Sequence, residues 1–231
     1  MIPLRDINPT GKFPYLTIFL IAVNTAIFIY QMGLPQDMTI NFIETYGFIP
    51  GELTKAIIQG SFSQIWENIK TIISSMFLHG SFMHLISNMW ALWLFGDNVE
   101  DRLGHFKFLF FYILSGVLAA LVHYFFYLNS PIVTIGASGA ISGIMGIYFI
   151  LFPYAKIKTL FLVLWLPFFI YIPAFLYIGL WFISQISNGI LSLFGPVYGF
   201  GIAWWAHIGG FVYGVYVGRK HKRKWLFRYK V

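Results

Sequence analysis

Cysteine is absent from the 231 residues, so disulfides, thiol catalysis and cysteine-held metals are excluded. Charge is scarce: 10% of residues are Asp, Glu, Lys or Arg, against roughly 25% in a soluble domain. The acidic residues are Asp6, Asp37, Glu44, Glu52, Glu67, Asp97, Glu100 and Asp101. None falls inside a long apolar stretch, which removes the intramembrane carboxylates that a proton pump or an aspartyl intramembrane protease needs. No H-E-x-x-H occurs, and the two halves show no inverted repeat. These absences disfavour a zincin site and a transporter built from paired broken helices. The opening MIPLRDINPTGKFP has no short apolar core before a small-residue cleavage site, so no removable signal peptide is expected.

What the chain does have is apolar: 58% hydrophobic and 21% aromatic residues, with a mean hydropathy of +0.74. The expectation is an all-α polytopic membrane protein, one domain over residues 1–231. Six apolar stretches mark the spans: 15–32, 82–95, 106–127, 138–152, 159–183 and 198–217. A helix crossing a ~30 Å hydrocarbon core needs about 20 residues, so the second and fourth are short. The interval 33–75 carries apolar residues at helical spacing among polar ones and is expected to lie on the membrane surface as an amphipathic loop. Six spans place both termini on one side. On that side fall 13 of the 15 Lys and Arg residues, all but Lys55 and Lys70, which makes it the cytoplasm. The basic tail 218–231 then meets anionic lipid, and no nucleic-acid partner is needed to explain it.

Polar residues at membrane depth carry the function. The fourth stretch, rising ~22 Å from the cytoplasmic edge at 1.5 Å per residue, leaves Ser138 about 8 Å below the outer edge. His207 lies ~13 Å down its own stretch. Ser81 is placed to cap the second stretch, and His84 and Asn88 share one helix face at i, i+4 spacing. In GASGAISGIMG, Gly139 and Gly143 repeat at four residues, as do Ala206, Gly210, Gly214 and Gly218. Small residues let two helices approach closely in lipid. Contact between those faces brings Ser138 to His207. The imidazole can then take the hydroxyl proton, giving a Ser–His dyad with no carboxylate. His84, Asn88 and the Ser138 amide can stabilise the developing oxyanion. Backbone over 131–137 must be non-helical beside a wet cavity.

These residues are similar to those of the rhomboid intramembrane serine proteases. HGSFMHLISNMW matches the family's H-x-x-x-N at His84 and Asn88, with His79 upstream. GDNVEDRLG matches G-x-x-x-E-x-x-x-G at Gly96, Glu100 and Gly104. GASGAISG matches G-x-S-G at Ser138, and AHIGGFVYG matches A-H-x-x-G-x-x-x-G at His207. The resemblance covers about residues 70–218. It implies a six-transmembrane-helix rhomboid-like bundle and cleavage of transmembrane protein substrates near the outer membrane face. It implies Ser138 as nucleophile, His207 as base, and His84, Asn88 and the Ser138 amide as the oxyanion hole. Supporting roles at the site are expected of His79, Gly136, Gly139 and Ser142, and the resemblance implies no cofactor and no metal. The minimal form suits a prokaryotic cell membrane. Two departures stand out. The family's Trp-Arg ahead of His79 is missing, with only Trp66-Glu67 nearby. The aromatic residue four positions after the serine, on which the base rests, is Ser142 here. Substrate, oligomeric state and gate are left open.

Overall fold

The computed structural model describes residues 2–194 and 202–228. Helix α1 spans Tyr15–Gly33, and its first turn is capped from elsewhere in the chain. The Glu100 carboxylate accepts from the backbone N–H of Leu16 at 2.9 Å and of Thr17 at 2.7 Å, and from the Thr17 hydroxyl at 2.7 Å. Free first-turn donors and the positive end of the helix dipole favour a carboxylate there. The interval 33–75 folds as three helices, α2 Gln36–Tyr46, α3 Pro50–Ile58 and α4 Phe62–Ser74, then a 3₁₀ turn at Ser75–Phe77. Trp66, Glu67 and Lys70 lie on α4, where Glu67 and Lys70 form an exposed ion pair at 2.7 Å.

Helix α5 covers Phe82–Leu103, eight residues beyond the expected 82–95. Hydropathy marks where the apolar residues stop, but nothing in GDNVEDRL breaks a helix. The break comes at Gly104, whose φ of +78° suits only glycine at a helix end. Helix α6, His105–Phe126, follows at once, and α7 spans Ser138–Leu151.

The stretch 159–183, expected as one apolar helix, divides in two. Strands β2 (Lys156–Val163) and β3 (Leu166–Pro173) form a hairpin, and helix α8 covers only Ala174–Ser192. The turn residues Leu164 and Trp165 both have positive φ, 49° and 68°, the sign that a tight two-residue hairpin demands. Pro167 cannot sit inside a helix, and Pro173 precedes α8 as its cap position. The single span expected from hydropathy is thereby corrected, since an apolar run rich in aromatics suits a strand as well as a helix. The all-α expectation is corrected in the same way: β1, Ile2–Asp6, pairs antiparallel with β2, giving sheet order β1-β2-β3. The strand β1 runs along α5. The Trp90 indole N–H donates to the Pro3 carbonyl at 2.6 Å, and Asn98 and Tyr148 both donate to the Asp6 carboxylate.

Helix α9, Trp204–Arg228, continues past the expected 217 into the basic tail, where Lys and Arg are good helix formers and favour the C-terminal end of the dipole. Residues 198–201 and 229–231, parts of the expected last span and tail, lie outside the described residues.

The core sits around α7. Every residue from Gly139 to Tyr148 is buried, because α6, α9, α5 and α8 all pack against it. A helix that is apolar all round belongs inside a bundle. The outer helices reverse the usual pattern and expose large apolar residues, among them Phe106, Phe110 and Phe125 on α6 and Leu180 and Ile183 on α8. Helices α1, α6 and α8 are long and apolar enough to cross a membrane. The chain is a polytopic membrane protein whose hydrophobic surface faces lipid.

Candidate active site

The α7–α9 contact decides the site. A Cβ on Gly210 would overlap the Gly139 carbonyl oxygen, and one on Gly214 would overlap that of Gly143. The two backbones therefore touch, as small residues permit in lipid. Ala206, one turn before Gly210, stands beside Gly139, and the neighbouring His207 is carried to the first residue of α7. Ser138 Oγ lies 2.7 Å from His207 Nε2.

The other ring nitrogen also has a partner. His207 Nδ1 lies 2.8 Å from Gln185 Oε1 on α8. The Gln185 amide nitrogen donates to the Trp181 carbonyl at 3.2 Å and to Ser184 Oγ at 3.0 Å, so the oxygen is the end that faces the ring. An oxygen there accepts Nδ1–H, and this leaves Nε2 as the acceptor of the serine proton.

Opposite the pair, α5 starts at Ser81, whose hydroxyl accepts from the His84 amide at 3.1 Å. The Nε2 of His84 and the Nδ2 of Asn88 flank Gly136. A Cβ on Gly136 would stand 2.7 Å from the first and 3.7 Å from the second, and its φ of +120° is itself a glycine conformation. Asn88 Nδ2 is buried without a hydrogen-bond partner, a donor held ready in the cavity. The Ser138 amide belongs to the first turn of α7, where backbone donors have no partner within the helix.

The segment entering α7 is non-helical from Tyr127 to Ala137, including the 131–137 backbone that sequence marks as irregular. Its backbone is satisfied from two sides: Thr134 and Phe48 exchange hydrogen bonds at 2.7 and 3.1 Å, and the Gly136 N–H donates to the Ser75 carbonyl at 2.8 Å. Irregular backbone at membrane depth needs such internal partners. Above it opens a cavity of about 730 Å³ holding Ser138, His207, His84, Asn88 and Ser142. Ser87 and Ala91 of α5 and Trp181 of α8 also line it.

All five dyad and oxyanion groups named from the sequence therefore converge. Of the supporting residues, Gly136 and Gly139 are the close-approach points just described. His79 is 1% exposed, and its ring packs edge-on against His84 with centroids 5.0 Å apart. It stands behind the site and does not line the cavity. Ser142 does not hold His207, since its hydroxyl back-bonds to the Ser138 carbonyl at 2.6 Å. Gln185 was missed. The signal was present as a polar residue in LWFISQISNG, but ending the helix at 183 assigned it to a loop. Among the described residues, no group of three or more His, Cys, Asp or Glu is placed to hold a metal ion.

A family model described as Rhomboid domain matches residues 63–223, more than half of the chain. Rhomboid protease AarA of Providencia stuartii is 33% identical over 144 residues, 56% of this chain and 48% of that protein. Putative rhomboid protease YdcA of Bacillus subtilis is 37% identical over 79 residues, 33% of this chain and 38% of that protein. Rhomboid protein 1, mitochondrial, of Saccharomyces cerevisiae is 37% identical over 91 residues, 38% of this chain and 26% of that protein. The matched region spans less than half the length of each of these relatives.

Proposed function

The chain belongs to the rhomboid family, and from that premise we propose that it is an intramembrane serine endopeptidase acting on transmembrane protein substrates. The observation that carries the reading is the 2.7 Å approach of Ser138 Oγ to His207 Nε2 inside a cavity. Ser138 Oγ attacks the scissile carbonyl carbon as His207 Nε2 takes the hydroxyl proton. The carbonyl oxygen becomes an oxyanion facing His84, Asn88 and the Ser138 amide. The C–N bond then breaks, and His207 gives its proton to the leaving amine. Water, deprotonated by the same nitrogen, releases the acyl group from Ser138.

The same reading makes α1, α5, α6, α7, α8 and α9 six spans, with both termini and the basic helix end in the cytoplasm. Substrate reaches the dyad from lipid between α5 and α8, whose Ala91 and Trp181 both line the cavity. A catalytically silent relative is the rival within the family, and retention of both Ser138 and His207 argues against it.

The test uses a fluorophosphonate serine probe on the purified protein in detergent, with the adduct mapped by mass spectrometry. The expected result is a label on Ser138 that is absent in His207→Ala. An unlabelled Ser138, together with an intact transmembrane substrate in liposomes, refutes the proposal.

A further inference from the structure

We propose that Gln185 is the positioning residue of the base: its side-chain oxygen fixes the tautomer and orientation of His207, the task a carboxylate performs in a Ser–His–Asp triad. The inference rests on the protease reading above and assigns a residue beyond the dyad.

Four observations carry it. First, the His207 ring has no aromatic platform on α7, where Ser142 is turned to the Ser138 carbonyl. Trp181 and Trp204 are its aromatic neighbours, with centroids 6.1 and 6.2 Å away and ring planes inclined at 32° and 86°, so neither lies flat under the imidazole as a platform. Secondly, Gln185 is 4% exposed on a helix whose other faces meet lipid. A buried amide there needs a purpose. Thirdly, its two donors are committed to Trp181 and Ser184. The amide cannot turn over without leaving those acceptors, so Oε1 is held toward Nδ1. Fourthly, both ring nitrogens of His207 are accounted for by geometry, Nε2 at 2.7 Å from Ser138 Oγ and Nδ1 at 2.8 Å from Gln185 Oε1, so Gln185 is the partner on the side away from the serine.

The chemistry follows from proton accounting. With Nδ1–H donated to Gln185, Nε2 carries the lone pair that accepts the Ser138 proton. Without an acceptor at Nδ1, the ring is free to hold its proton on Nε2, where it cannot act as a base. The acceptor is neutral, so it orients the ring while adding little stabilisation to the imidazolium formed during attack. The acceptor also rides on α8, whose Trp181 lines the cavity, so the position of that helix and the competence of the base are linked.

Three variants test this in proteoliposomes with a transmembrane substrate. Gln185→Leu removes the acceptor at similar size and is expected to lower kcat about 10- to 100-fold, part of the roughly 10²–10⁴ a positioned base contributes, with KM changed less than about threefold. Gln185→Glu keeps an acceptor and adds charge. It is expected to remain active and to move the acidic limb of the kcat/KM profile to higher pH by about one unit, as a carboxylate beside an imidazole does. Gln185→Asn, one methylene short, is expected to fall between Leu and wild type. A Glu variant whose acidic limb superimposes on wild type, or a Leu variant with unchanged kcat, overturns the proposal. If Gln185→Glu does not fold, the kcat of Gln185→Leu decides alone. Fluorophosphonate labelling of Ser138 in the wild type separates the two readings: wild-type labelling with unmoved Gln185 variants defeats only this inference, whereas an inert wild type defeats the protease reading itself.

Discussion

Gly210 crosses α7 so closely that a methyl group on it would overlap the carbonyl oxygen of Gly139. This contact and the Ser138–His207 hydrogen bond are one turn apart on the same seam. Gly210→Ala is therefore expected to push α9 outward and open the dyad. Displacements of about 1 Å cost on the order of 100-fold in rate, and that is the loss expected in substrate cleavage, with a lowered Tm. Gly33→Ala is the control, since nothing lies within 4 Å of its added Cβ. Equal cleavage by the two variants would show that the seam does not set the site.

His84 and Asn88 meet at Gly136 from one face of α5. Asn88→Ala and His84→Ala are each expected to lower kcat about 10²- to 10³-fold, the usual cost of one oxyanion donor. KM should stay near the wild-type value, because on the proposed mechanism the charge they stabilise exists only in the transition state. Steady-state kinetics on a transmembrane substrate measure both. A raised KM with normal kcat would make them substrate-binding groups instead. Gly136→Ala should be more damaging than either, since it adds strain at φ +120° and crowds the His84 ring.

The groups that meet at the dyad were legible in the sequence because each rests on a local rule. Ser81 caps α5, the i, i+4 spacing aligns His84 with Asn88, and the small-residue rows on α7 and α9 can only face each other. What hydropathy could not resolve was the sheet. From Leu160 onward, LFLVLWLPFFIYIP is apolar throughout, and only the two prolines argue against a helix. Its pairing with Ile2–Asp6 spans more than 150 residues of sequence, beyond the reach of any local pattern. The same misreading placed Gln185 outside a helix and hid the residue that faces His207 Nδ1.

Asp6 is drawn into this hidden sheet, and its burial shows in its titration. Desolvation, opposed by the Tyr148 hydroxyl and reinforced by the neighbouring charge of Asp97, raises its pKa from 3.8 to about 6. The folded protein thus holds this proton more tightly than the unfolded chain. The stability it contributes is complete below about pH 4 and is lost as pH rises through 6. Asp6→Asn keeps an acceptor for Tyr148 and removes the titration. Thermal unfolding from pH 4 to 7 should show wild type losing Tm relative to the variant across that window. Parallel curves would mean that Asp6 ionises as freely in the folded state as in the unfolded one.

Trp90 supplies one of the donors that tie β1 to α5, through its 2.6 Å bond to the Pro3 carbonyl. Trp90→Phe retains most of the apolar surface and loses only that donor. A net hydrogen bond is worth about 1 kcal/mol, so the variant should melt about 2–4 °C lower in a chain of this size, while Ser138 still labels. The attribution is checked by removing residues 2–6. If Trp90 acts through β1, then Trp90→Phe in the truncated chain adds no further loss of Tm, because the bond is already gone and the two changes cease to be additive. A full 2–4 °C loss in both backgrounds would instead assign the effect to packing of the indole ring against lipid or α5, and would leave the Asn98–Asp6 hydrogen bond as the tie between β1 and the helix that carries His84 and Asn88.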